Sequence, residues 1–593
     1  MDHRHQQPNI LMLTVDALRA DRTSLHGYDR PTTPTLERLA KTAVVCENAF
    51  SMATFTQAAS AQMFTSSRPL SYGGYDYGAE GRPETVFKRF HDAGYKTTCL
   101  TTLHWVNRFF GYDEGIDEEI QTFGLNSLPG VALAMIRNTL LEFEKGNIND
   151  GELLGKVDPV LLRFFDNTSV YCDLILERGD EIDRDFPDSA LVNSRYDFAK
   201  IKAAIGRHRQ EYQAGKIAYI RRHLIPTPVG KEWMNRWLVR EWRYCRKPSR
   251  LIAELFFRAG NLLLGWVNAK WARARQNRFK IYPDAHSLAD KVIGLLEQRD
   301  KTKPFFIWTH FMDTHHPYVS GPGRKWYRHT PRLLEALGYS PDIDPSLSFD
   351  GKPKRKQDGD AFSALYDCAV RSTDDEIGRI VDAVERLGLR DDTLIIVAGD
   401  HGEELGDHGD FGHYFLHYTH NTRVPMVFSH PKIGKTRLDG LFTIADMPPT
   451  VAALAGVDPA PDWEGLAVTE PGGGDRDHVL LETFYGGNCL FDHRPLYFAV
   501  RTKDHLYCWR EYKDPADKFS PDGPELFNIR DDPSETHNLY RPDHQLISRF
   551  NALIAERMAE IPEITDQRII DCFGDIGRDA VAAGCKRDQA IGK

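Results

Sequence analysis

Asn9-Ile-Leu-Met-Leu-Thr-Val-Asp16 is the stretch from which the fold of this chain is read. Its apolar residues run continuously and stop at a carboxylate. A strand that is apolar on both faces belongs inside a parallel sheet covered on both sides. Two later stretches repeat the form, Pro304-Phe-Phe-Ile-Trp-Thr-His310 and Thr393-Leu-Ile-Ile-Val-Ala398. Segments with helical character separate them. Thr33-Pro-Thr-Leu-Glu-Arg-Leu-Ala40 begins with a hydroxyl cap and an early proline. Residues 84–93 lead through Gly94-Tyr95 into a strand at 96–102, and further helices are expected at 286–298 and 361–387. This alternation predicts an α/β protein with a mainly parallel, mixed sheet sandwiched by helices.

Working outward, residues 128–280 interrupt the alternation. They are rich in Arg, Trp and Phe and read mostly as helix, for instance 251–274, so they form a helical insertion. After residue 470 the short runs Tyr497-Phe-Ala-Val-Arg501 and His505-Leu-Tyr-Cys-Trp509 suggest a small antiparallel sheet, followed by a helix at 543–561. The expected division is an α/β catalytic domain from 8–127 and 281–470, the insertion at 128–280, and a C-terminal α+β unit at 471–593. A chain of 593 residues exceeds one simple core, which agrees with several units.

Composition is that of an ordinary globular protein, 41% hydrophobic and 27% charged, and a net charge of -10 argues against nucleic-acid binding. The nine cysteines are odd in number, widely spaced and without a C-x-x-C pair. This disfavours a disulfide or cysteine-metal framework and suggests a reducing compartment. The opening apolar run ends at Asp16, short of a signal h-region. No segment reaches the ~18 uncharged apolar residues of a membrane span. A cytoplasmic location is the expectation.

In an open parallel sheet ligands bind at the carboxyl edge, and here polar groups follow the strands. Asp16 follows the first. Asp313, His315 and His316 follow the strand ending near His310, and Asp400-His401-Gly402-Glu403-Glu404 follows the strand ending at Ala398. Carboxylates with a neutral imidazole suit Mg, Mn, Ca or Zn. A strand-end Asp also caps helices, and a lone His is usually a satisfied surface group. The coincidence of these strand ends favours a site.

These residues resemble the sulfatase branch of the alkaline phosphatase superfamily, over roughly 8–125 and 283–545. The resemblance rests on Thr14-Val-Asp-Ala-Leu-Arg-Ala-Asp21, Gly27-Tyr-Asp-Arg-Pro-Thr-Thr-Pro-Thr-Leu36, Asn48-Ala-Phe-Ser51, Gly94-Tyr-Lys-Thr97 and the 313–318 segment. It continues through Ala398-Gly-Asp-His-Gly-Glu-Glu-Leu-Gly-Asp-His-Gly409, Arg423-Val-Pro425 and residues 525–539, in the family's order. The family's nucleophile stands nine residues before a Thr-Gly pair. Here Thr65-Ser66 takes that pair's place, and Thr56 falls on the nucleophile. The resemblance implies one divalent cation (Mn, Mg, Ca or Zn) bound by Asp16, Thr56, Asp400 and His401. It also implies His315 as a catalytic group that binds the anion or protonates the leaving oxygen.

Departures from the pattern narrow the activity. Sulfatases convert a cysteine, or sometimes a serine, to formylglycine. No cysteine lies between 46 and 99, and threonine cannot be so converted, so no formylglycine is expected. Ala17 replaces the second aspartate of an Asp-Asp pair. Ala58, Ala59 and Ser60 replace Pro, Ser and Arg, and His413 replaces a lysine. Ser60 and His413 are therefore the substrate-binding candidates. The expected activity is hydrolysis of phosphate monoesters, diesters or phosphonates through Thr56. The alternatives are a sulfatase, a phosphoryl transferase, or a degenerate member that binds an anion without turnover. The partner is a small anionic ester.

Two further groups carry open readings. His413, His417 and His420 would complete a second metal site, although the superfamily's Asp-x-x-x-His pattern is not evident. Arg221, Arg222, Arg236, Arg240, Arg243, Arg246, Arg273 and Arg275, within 218–280, suit either a basic helical lid or a contact with a membrane surface or anionic polymer.

Overall fold

A computed structural model describes residues 7–591, apart from 104, 123, 126, 187–195, 226–237, 239–241, 243–244, 246, 248–281, 316–317, 319–355, 410, 414–415, 485–489 and 514–520. The first strands are β1 (Asn9–Val15), β2 (Ala43–Phe50), β3 (Lys96–Thr101) and β4 (Glu118–Gln121). β5 (Phe305–Phe311) and β6 (Thr393–Gly399) each end one residue later than the apolar runs suggest. A small ladder of β7 (Glu404–Leu405) and β8 (Phe411–Gly412) precedes β9 (Arg423–Ser429) and β10 (Thr436–Thr443). Apart from that ladder these strands form one eight-stranded sheet in the order β10-β2-β9-β6-β1-β5-β3-β4. Only β9 runs against its neighbours, so the sheet is mainly parallel but mixed, as expected.

The continuous apolar runs are explained by burial on both faces. Ile10 and Met12 pack with Phe306, Trp308 and Ile396 on one side. Their neighbours Leu11, Leu13 and Val15 pack with Ile307, Phe311 and Val397 on the other. The first face is covered by α2 (Thr56–Thr65), α3 (Val86–Asp92), α4 (Ser127–Glu144) and α5 (Asp150–Asp185). The second is covered by α1 (Pro34–Leu39) and by the helices Ala285–Gln298 and Lys356–Arg386.

All ten residues of α2 are buried. Ala59, Met63 and Phe64 face the main sheet, while Ala58 joins a second apolar cluster with Leu70, Phe498 and Phe550 of the C-terminal part. Small side chains let one helix serve two neighbours. Its C-cap is Ser66, in the left-handed conformation (φ 48°) that favours glycine. The Ser66 hydroxyl donates to the Ala445 carbonyl at 2.6 Å and accepts from the Gly465 amide at 2.9 Å. These bonds offset the strain of a serine at this position.

Past residue 470, β11 (Val479–Phe484), β12 (Leu496–Arg501), β13 (His505–Arg510) and β14 (Glu525–Asn528) make an antiparallel sheet. The helices Ile547–Ala559, Asp566–Phe573 and Asp575–Ile591 complete the α+β part. The described portion of the insertion is helical, with α6 (Phe198–Ala214) and α7 (Lys216–His223) following α5. The helix expected at 251–274 lies outside the described residues. Of the eight arginines singled out there, Arg221 and Arg222 are described, and each meets a carboxylate, Asp150 at 3.6 Å and Glu211 at 2.9 Å. Among the described residues no helix is long and apolar enough to cross a membrane.

A buried ion pair inside the C-terminal part also reaches the core, through bonds to the Leu70 amide and the Ser71 hydroxyl. Arg557 meets Glu482 at 2.6 Å, and Glu482 also accepts from the Leu70 amide at 2.8 Å. Burial opposes ionisation of Glu482, but the guanidinium outweighs it and holds the carboxyl below its ordinary value. The stabilisation is therefore present above the unfolded carboxyl pKa and is lost as the pH falls through the lowered folded value. Arg557→Ala strands a buried carboxylate, so denaturant unfolding should show a loss of about 3–5 kcal/mol. A change below about 1 kcal/mol would contradict this account.

Candidate metal centre and nucleophile

Parallel pairing in register brings the strand ends together. Val15 of β1 lies opposite Phe311 of β5 and Gly399 of β6. The next residues therefore emerge side by side at the carboxyl edge. The Asp16 amide donates to the Phe311 carbonyl at 2.9 Å, and the Asp400 amide to the Val15 carbonyl at 3.3 Å.

Asp16, Asp400 and His401 are fully buried, and a ligand atom from each lies within 4.8 Å of the others. Asp400 Oδ1 accepts from the amides of Ala17 and His401, at 2.9 and 2.8 Å. Ala17 presents its N–H from a left-handed conformation (φ 51°), held by Tyr366, whose hydroxyl donates to the Ala17 carbonyl at 2.6 Å. Asp16 Oδ2 accepts from Thr56 Oγ1 at 3.1 Å and faces His310 Nε2 at 3.3 Å. The remaining oxygens, Asp16 Oδ1 and Asp400 Oδ2, are buried without a hydrogen-bond partner.

Charge in this cluster follows from burial. Burial and the adjacent Asp16 charge push the Asp400 carboxyl up to about 7. For Asp16, burial acts in the same direction but is outweighed by His315, His310 and His401, which hold it below the usual carboxylate range. Burial, reinforced by His413, pulls His401 down to about 3, so its imidazole is neutral. His401 Nδ1 lies 2.8 Å from the Gly402 carbonyl, which can only accept, so Nδ1 carries the hydrogen. Nε2 then offers a lone pair, 3.1 Å from Thr56 Oγ1. Two unpartnered carboxylate oxygens facing an imidazole lone pair and a hydroxyl form a donor set that fits a divalent cation.

Thr56 opens α2, so its hydroxyl sits where free N–H groups and the helix dipole favour an anion. His413 and His315 flank the cluster. The His413 ring lies 4.5 Å from that of His401 and 4.9 Å from that of His315. His413 Nδ1 meets Glu403 Oε1 at 3.0 Å. Burial pulls this imidazole down, but Glu403, Asp16 and Asp400 raise it to about 9. His315 Nδ1 lies 3.0 Å from the Tyr282 hydroxyl.

The structure thus brings together Asp16, Thr56, Asp400, His401, His315 and His413 from the sequence reading. It does not bring Ser60. Its fully buried hydroxyl donates to the Thr56 carbonyl at 2.7 Å, so helical periodicity turns it back along α2. The grouping of His413, His417 and His420 also fails. His417 is buried 3.2 Å from Thr483, while His420 pairs with Glu404, near His408. His316 lies outside the described residues. Sequence reasoning gave no role to His310, Glu403 or Tyr282. The signal for His310 was a histidine ending an otherwise apolar buried strand; Glu403 lay within the strand-end run 400–404 but without a role of its own, and nothing local marked Tyr282.

Fold and site together define an α/β protein that carries a candidate divalent-metal ligand set and a hydroxyl at the carboxyl edge of its sheet. The chain matches the Sulfatase family model over residues 8–163 and 257–457 and belongs to that family. It is similar to the uncharacterized sulfatase YidJ of Escherichia coli (strain K12), 27% identical over 43% of this chain and 51% of the relative. It thus spans about half the length of that relative. An arylsulfatase of Clostridium perfringens is 21% identical over 90% of each chain. Among solved structures, a phosphonate monoester hydrolase of Agrobacterium radiobacter shares the fold, with a TM-score of 0.52 and 16% identity over 94% of this chain and 95% of that one.

Asp400→Asn removes a charged ligand while leaving an acceptor for the Ala17 and His401 amides. Elemental analysis of the folded variant should show at least about a tenfold loss of divalent-metal affinity. An unchanged metal stoichiometry at matched free metal would refute the ligand assignment.

Proposed function

We propose that this chain is a metal-dependent hydrolase of phosphate esters or phosphonates with Thr56 as its nucleophile. The observation that carries the reading is the position of Thr56 Oγ1, 3.1 Å from both Asp16 Oδ2 and His401 Nε2 at the start of a buried helix. A divalent cation held by Asp16, Asp400, His401 and Thr56 would favour the threonine alkoxide and draw charge from a non-bridging ester oxygen.

The chain's own groups would do the rest. Thr56 Oγ1 forms a bond to phosphorus as the bond to the leaving oxygen breaks, and its proton passes to Asp16, whose Oδ2 it already meets. His413, charged through Glu403, and His315, oriented by Tyr282, bind the anion and return a proton to the leaving oxygen. Water then attacks phosphorus as the bond to Thr56 Oγ1 breaks, giving a proton to the imidazole that protonated the leaving oxygen, while Asp16 returns its proton to Thr56. His310 Nε2 meets the same Asp16 Oδ2 as Thr56, at 3.3 Å, and acts as a positioning residue.

An unmodified alkoxide attacks phosphorus but lacks the hydrate through which formylglycine enzymes release sulfate. That difference favours phosphorus over sulfur. Sulfate ester hydrolysis is the second reading, favoured by the names of the curated relatives. The test is a panel of aryl phosphate monoester, diester, phosphonate and sulfate substrates, each with Mn, Mg, Ca and Zn. Phosphorus substrates should be turned over and sulfates should not; turnover of sulfates alone would reverse the assignment, and none at all would favour the anion-binding alternative.

Thr56→Ala should lower kcat by at least about 10³-fold with metal content verified, as expected for loss of a nucleophile. Ser60→Ala should keep kcat within about tenfold, because its hydroxyl serves only the helix. Near-normal turnover by Thr56→Ala would exclude the mechanism.

A further inference from the structure

Residues 164–256 lie outside the two segments matched by the family model, and α6 and α7 fall within them. On α6, His208 and Glu211 are three residues apart and so share one helix face. His223 ends α7, which packs beside α6. One ligand atom from each of these residues lies within 4.8 Å of the others.

We propose that His208, Glu211 and His223 form a second metal site, of the zinc class, that bridges α6 and α7. Two imidazoles and a carboxylate are a donor set suited to Zn²⁺, with a fourth position left for water. Zinc–ligand bonds of about 2.1 Å require donor separations near 3.4 Å. His223 Nε2 already lies 3.0 Å from Glu211 Oε1. The His208 and His223 ring centroids are 5.4 Å apart. Rotation of half-exposed side chains can close the remaining distance.

The surroundings supply an outer contact of the usual kind. His208 Nδ1 lies 2.9 Å from the Tyr219 hydroxyl, so the other ring nitrogen is the ligand atom. A competing charge is Arg222, 2.9 Å from Glu211 Oε1. Its side chain is 69% exposed, so water screens this pair and a dication can displace it. The site is distinct from the sheet-edge cluster in position, in ligand set and in lying within the insertion. Its role is structural: bound metal would fix one helix against the next.

The experiment uses the full chain carrying Asp400→Asn, stripped with chelator and titrated calorimetrically with ZnCl₂. One Zn²⁺ should bind with a Kd of about 10 μM or tighter and raise Tm. Adding His208→Ala and His223→Ala should weaken that binding at least about tenfold, with far-UV circular dichroism unchanged. Arg222→Ala removes the competitor and should tighten binding several-fold, a result available even if the histidine variants fail to fold. Binding weaker than about 10 μM, or binding indifferent to both the histidine and Arg222 substitutions, would overturn the site.

Discussion

The burial of Asp16 and Asp400 side by side is the constraint to which the rest of the site answers. Two carboxylates out of water repel each other and lose hydration, a cost of several kcal/mol per ion unless both are compensated. The protein compensates half of each. Asp400 Oδ1 takes two amides, and Asp16 Oδ2 takes Thr56 and His310. The other oxygen of each is buried without a hydrogen-bond partner. The left-handed Ala17 belongs to this arrangement, its N–H donating to Asp400 Oδ1 at 2.9 Å.

The second requirement is that Thr56 meet this pair, which depends on α2. A helix buried along its whole length must present small or apolar side chains on every side. Ala58, Ala59 and Ala61 do so, and Ser60 and Thr65 satisfy their hydroxyls on the preceding turn. Glutamine at 62 accepts from the Met52 amide and so ties the helix to the loop before it. The helix start is therefore fixed from both the sheet and the C-terminal part. Substitutions that look like losses of family chemistry, at 58–60 and 66, are consistent with this packing.

Around the β6 loop the charges form linked pairs. Arg19, almost fully buried, binds Asp21 and Asp407 and donates to the Glu403 carbonyl. Glu403 in turn holds His413 and accepts from Tyr318. Glu404 meets His420, while His408 reaches the Glu535 carbonyl in the C-terminal part. One loop thus carries two of the candidate metal ligands, Asp400 and His401, the histidine His413 beside them and a contact between the two sheets.

The sequence by itself determined the class of fold, because continuous apolar runs separated by helices have few other solutions, and the ends of those runs named Asp16, Asp400 and His401. It also reached Thr56, through spacing within a motif series. What it did not determine were contacts made between segments hundreds of residues apart. Ser60 looked available until helical periodicity turned it inward; His413, His417 and His420 looked like one group because they are close in sequence, yet the chain directs them to three environments. His310, Glu403 and Tyr282 gained their roles only from strand register and from loops meeting above the sheet edge. Local patterns fix which strands are buried on both faces, since burial is written into each residue. The partner of a polar side chain is set by packing in three dimensions, and only the tertiary structure decides it.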